Sequence, residues 1–91
     1  MREAIVEAHL VRRVKSLGGL CYKFTSPARR SVPDRLCIID GVAFFVELKA
    51  PGKKPTPKQA AEIELIRSKG IRVFVADTKE AADAVLQEFG L

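Results

Sequence analysis

Ninety-one residues with 47% hydrophobic and 30% charged side chains make one folded domain, residues 1–91, and exclude a disordered tail. Sixteen basic against eleven acidic side chains leave a net charge of +5, and residues 1–35 hold eight of the basic but only three of the acidic groups. A surplus gathered at one end suits a polyanionic partner, nucleic acid before membrane, and no apolar run is long enough to span a bilayer.

Two cysteines, Cys21 and Cys37, are too few for a disulfide scaffold. Both fall in apolar runs and are expected as buried free thiols. Met1-Arg2-Glu3-Ala4 opens without the apolar stretch of a secretory leader, so the chain is expected to be soluble and cytoplasmic.

Val6, Leu10, Val14 and Leu17 recur at helical spacing over residues 3–17, and Gly18-Gly19 ends that helix. Residues 20–25 alternate, with Leu20, Tyr22 and Phe24 on one side and Cys21 and Lys23 on the other, which predicts a strand. Residues 26–33 form a basic loop containing Arg29 and Arg30. Residues 36–39 and 42–48 are apolar runs, the second interrupted by Glu47 alone, expected as strands covered on both faces. Between them Asp40-Gly41 signals a tight hairpin. A second basic loop, residues 50–55, carries Lys53 and Lys54. Thr56, Pro57 and Gln59 then read as N-cap, first helical position and capping-box partner of a helix ending near Gly70. Residues 71–76 are a strand, and Thr78 caps a last helix over 79–89. The order α-β-β-β-α-β-α implies an α/β fold: a mixed four-stranded sheet flanked by helices, its last strand reached by a parallel crossover.

The hairpin makes a sharp statement about chemistry. A two-residue turn pairs Ile39 with Val42, and the same register sets Asp34 opposite Glu47 on one sheet face. Lys49 projects from that face too, because side chains alternate along a strand. Two facing carboxylates with an ammonium beside them describe a hard-cation site. The alternative is an ordinary salt-bridged strand end, in which Lys49 merely neutralises Glu47. A third acid is offered by the first helix, where Glu7 lies on or beside the apolar stripe, with Glu3 one turn earlier as the alternative. His9 stands alone and no Cys/His spacing supports zinc.

Arg29-Arg30-Ser31-Val32-Pro33-Asp34, then Val46-Glu47-Leu48-Lys49-Ala50-Pro51-Gly52, Thr56-Pro57-Lys58-Gln59 and Gly70-Ile71-Arg72-Val73 together resemble the virus-type replication-repair nuclease (VRR-NUC) domain of the PD-(D/E)XK superfamily. The likeness spans almost the whole chain. It departs at Ser31, where the family often has glycine, and at Arg35, where an apolar residue is commoner.

The resemblance implies a restriction-endonuclease-like core and metal-dependent hydrolysis of DNA. By it, Asp34 and Glu47 match the metal-binding carboxylates, the Leu48 carbonyl a further ligand, Lys49 the catalytic lysine and Gln59 the glutamine of the second helix. Glu7 would match the first-helix acid, both ligand and catalytic group. The all-oxygen set suits Mg²⁺, with Mn²⁺ substituting. Arg12, Arg13, Arg29, Arg30, Lys53, Lys54 and Lys58 are expected to contact the DNA backbone. The resemblance also implies a homodimer acting on branched DNA such as a Holliday junction. The other readings are a non-catalytic basic DNA-binding module and an unspecific trimming nuclease.

Overall fold

The computed structural model describes residues 2–91, and in it the apolar stripe of the first helix organises the rest. Helix α1 (Glu3–Ser16) directs Val6, Leu10 and Val14 to one side, and all three are fully buried. They cover a sheet whose strands β1 (Leu20–Lys23), β2 (Arg35–Ile39), β3 (Val42–Leu48) and β4 (Arg72–Ala76) lie side by side in chain order. The first three run antiparallel. After helix α2 (Pro57–Ser68), β4 returns parallel to β3. Helix α3 (Lys79–Gln87) closes the chain beside α1. Element order and mixed sheet are those expected from the sequence.

Strand alternation divides the sheet into two unlike faces. Toward α1 and α3 point Cys21, Cys37, Ile39, Phe44, Val46, Leu48 and Ala76, all buried in one apolar cluster with the helices. Phe44 stacks on Phe89 with ring centroids 4.5 Å apart, while Phe74 meets both rings edge-on. Cys21 and Cys37 are directly paired across β1 and β2, their sulfurs 3.7 Å apart and hydrogen-bonded without a disulfide, as expected of buried free thiols. The hydrogen bond to Cys21, together with burial, pushes the Cys37 thiol above its ordinary pKa. Polar ties join the two helices: Asp83 of α3 accepts from His9 at 2.8 Å and pairs with Arg13 at 3.3 Å. His9 is therefore a structural tie between helices.

The opposite face is only partly covered. Helix α2 packs on β4 and buries Ile63 and Val73. Among the described residues no helix packs extensively on β1 and β2 on this side, where Leu20 and Tyr22 stay 47% and 54% exposed. Leu36, Ile38 and Phe45 are only half-buried on this face and Ala43 is exposed, so the expectation that the runs 36–39 and 42–48 are covered on both faces is corrected. A domain with three helices places two on one face, and the third, tethered by its short crossover, shields only the β4 end.

Asp40 (φ 50°) and Gly41 (φ 78°) both adopt positive φ, as the tight hairpin turn requires. Gly19 serves a different need, close approach. A Cβ there would lie 2.4 Å from Ile39 Cγ1 and 2.8 Å from the Ile38 carbonyl oxygen. Gly19→Ala should therefore destabilise the fold by about 1–3 kcal/mol, the usual cost of forcing an atom into a packed site. Urea unfolding with an unchanged slope and a lowered midpoint would register it.

Candidate active site

The hairpin register places the chemistry. β2 and β3 pair Ile39 with Val42 through to Arg35 with Val46, so the next step sets Asp34 against Glu47. The Asp34 carboxylate is pinned there because the Leu48 N–H donates to Oδ2 at 2.8 Å. On its other side the Asp34 carbonyl accepts from the Phe24 N–H at 2.8 Å, continuing the β1–β2 ladder by one residue. Phe24, Asp34 and Glu47 consequently form one row across the sheet, on the face away from α1 and α3.

Glu47 is 2% exposed, an unusual place for a carboxylate. Burial and the facing Asp34 push its pKa from the usual range up to about 7, with Lys49 opposing the shift. Lys49 Nζ stands 3.4 Å from Glu47 Oε2 and donates to Gln59 Oε1 at 2.7 Å. That same Gln59 oxygen accepts the Thr56 N–H at 2.9 Å, and Gln59 N–H donates to Thr56 Oγ1 at 3.2 Å. The expected capping box is thus present, and its glutamine also holds the lysine. Glu47 Oε1, by contrast, is buried and has no hydrogen-bond partner. A buried carboxylate oxygen without a partner, with a second carboxylate facing it across the strands, is what a hard cation would complete. The Leu48 carbonyl, which shares its strand edge with the N–H bound to Asp34, points to the same side. The residues present therefore fit a divalent metal held by oxygen.

The first-helix acid is a correction. Glu7 binds Arg35, whose Nε donates to Oε2 at 2.8 Å. Arg35 follows Asp34 on the strand and so projects from the opposite sheet face. Among the described residues no three His, Cys, Asp or Glu side chains converge as a metal cluster. Glu7 is held on the α1 side of the sheet by Arg35, one of the two positions where this chain departs from the pattern it resembles. Glu3 is exposed and makes no ion pair among the described residues.

The basic residues divide the same way. Arg12 and Arg13 ride on α1, behind the sheet, with Arg13 engaged by Asp83. Arg29, Arg30 and Lys58 line a common cleft beside the N-terminal turn of α2. Lys53 and Lys54 are exposed on the β3–α2 loop, which is anchored by Gly52 N–H donating to Asp77 Oδ2 at 3.1 Å. Arg29 is not a free cation: its Nε donates to Glu62 Oε1 at 2.9 Å, and Glu62 is buried. Sequence reasoning missed that clamp, and no local pattern signals a pair 33 residues apart.

No protein-family model matches the chain. A curated relative, "Putative nuclease p44" of Acyrthosiphon pisum secondary endosymbiont phage 1, is 48% identical over 81 residues, which are 88% of this chain and 87% of that protein. A solved structure described as "VRR_NUC domain" superposes with a TM-score of 0.87 at 36% identity, covering 93% of this chain and 94% of that one. Fold and relatives together define a nuclease domain. The chain belongs to the VRR-NUC family.

The raised Glu47 pKa has a consequence for stability. The folded state keeps a proton that the unfolded chain releases, so this group's contribution is full below about pH 4.5 and is lost as pH rises through about 7. In metal-free buffer the melting temperature should fall across that window. Glu47→Gln, which cannot ionise, should flatten the fall in a thermal scan at several pH values.

Proposed function

We propose that this chain is a Mg²⁺-dependent, structure-selective DNA endonuclease that acts as a homodimer on branched DNA. The observation that carries the reading is the facing Asp34–Glu47 pair, with Glu47 Oε1 unpartnered and Lys49 fixed beside it. Asp34, Glu47 and the Leu48 carbonyl would hold the cation, and an all-oxygen set favours Mg²⁺ with Mn²⁺ as substitute. When bound, the metal supplies positive charge for a phosphate oxygen and for the leaving oxygen.

The chain's own groups do the rest. Lys49, held between Glu47 and Gln59, orients the attacking water and offsets charge that builds on the phosphate in the transition state. Gln59 is a positioning residue that acts through Lys49. Arg30, Lys53, Lys54 and Lys58 grip the DNA backbone and set affinity and orientation without reading bases. Arg12 and Arg13 take no part, since α1 lies on the far side of the sheet. A two-fold dimer would present two such sites to the symmetry-related strands of a four-way junction.

Incubation with junction, flap and linear duplex DNA tests the reading, in Mg²⁺, in Mn²⁺ and with chelator. Cleavage of branched substrates in either metal and none with chelator is expected, and light scattering should report a dimer. Cleavage undiminished by chelator would overturn the metal assignment. Lys49→Ala should lower the cleavage rate at least about 100-fold while DNA affinity, read by anisotropy, stays within about twofold. Arg30→Ala should weaken every DNA substrate alike and reduce the salt slope of binding by about one unit.

A further inference from the structure

The row that holds the carboxylates extends past them to an aromatic side chain that neither the fold nor the proposed chemistry requires there. Phe24 is the direct cross-strand neighbour of Asp34, on the same face and only half-buried. It leans on Phe45 with ring centroids 5.1 Å apart, which fixes its orientation. Tyr22, two residues back on the same face, is 54% exposed. Beside Phe24 a cleft of about 320 Å³ opens, lined also by Thr25, Arg29, Arg30 and Asp34.

These features describe one kind of ligand. An apolar ring wall next to arginine offers a π face for a base and a cation for its phosphate. The volume is that of a single-ligand cleft, far short of a duplex. Asp34 belongs at once to the cleft and to the carboxylate pair, so whatever fills the cleft adjoins the reacting phosphate. A base inside a helix is already stacked on its neighbours and cannot present its face to Phe24. An unpaired one can.

We propose that Phe24, flanked by Tyr22, is a stacking platform for one unpaired nucleotide next to the scissile phosphate, with Arg30 on its backbone. This rests on the nuclease reading above and deepens it: the preference for branched DNA arises within a single subunit, from the need to seat one unstacked base.

The test is a chemical double-mutant cycle. A single abasic nucleotide is walked across the branch point of a labelled flap substrate, and anisotropy in chelator gives affinity without turnover. Base–aromatic stacking of the usual strength predicts that one abasic position weakens binding about tenfold. Phe24→Leu, which keeps apolar volume against Phe45 but removes the π face, should weaken binding of the intact flap by a similar factor. On the abasic flap it should cost nothing further. Multiplying losses, or an abasic walk without effect, would overturn the platform. A Phe24→Leu chain that dissociates from dimer to monomer with the abasic penalty unchanged would assign this face to a second copy and overturn it likewise. A wild-type chain that shows the abasic penalty but cleaves no DNA in Mg²⁺ would sink the nuclease reading and leave the platform standing.

Discussion

Two carboxylates on facing positions of adjacent strands repel each other, and this domain buries one of them nonetheless. Everything at the site follows from that imposed proximity. The Asp40-Gly41 turn leaves the hairpin a single register, and the buried stripe Phe44-Val46-Leu48 forbids a one-residue slip, which would send Glu47 into the apolar cluster. Asp34 is tied by a backbone N–H and Glu47 is walled in by the sheet, so neither can turn away. The strain is relieved by a retained proton, by Lys49, or by a cation. Those three responses are the ones a hydrolytic site uses.

The neighbouring polar contacts are economical. One Gln59 oxygen caps α2 and accepts from Lys49, so formation of the helix start and placement of the lysine are the same event. Glu62, one turn further along α2, fastens Arg29 and with it the loop that leads into Asp34. Helix α2 thereby positions both approaches to the site, although it covers little of the sheet. That division suits a domain of 91 residues, whose apolar material fills one face and leaves little for the other. The α1/α3 side holds the apolar core, and the thinly covered side holds the carboxylate pair and Lys49.

How much of this could be read from the chain depends on the range of the interaction. The order of elements, the two caps and the hairpin were legible because each rests on contacts between residues a few positions apart. So was the Asp34–Glu47–Lys49 arrangement, since a two-residue turn converts sequence distance directly into register. Glu7 was not legible. Helical spacing places it at the edge of a stripe but does not say which end of the sheet the stripe crosses, and Arg35 captured it.

The sequence by itself therefore determined the hairpin, its register, the carboxylate pair and the lysine, all consequences of local geometry. Tertiary structure alone decided the rest: that Asp83 would tie α1 to α3, that Glu62 would clamp Arg29, and that Phe24 would fall in the carboxylate row. The loop from residue 24 to 34 has no turn type that fixes its register, so the β1–β2 pairing is set by which side chains reach the core. Cys21 does, opposite Cys37, and that choice turns Phe24 and Tyr22 outward beside the site. Burial of a small thiol between two strands and a helix thus orients the aromatic face, a decision made by packing across the whole domain.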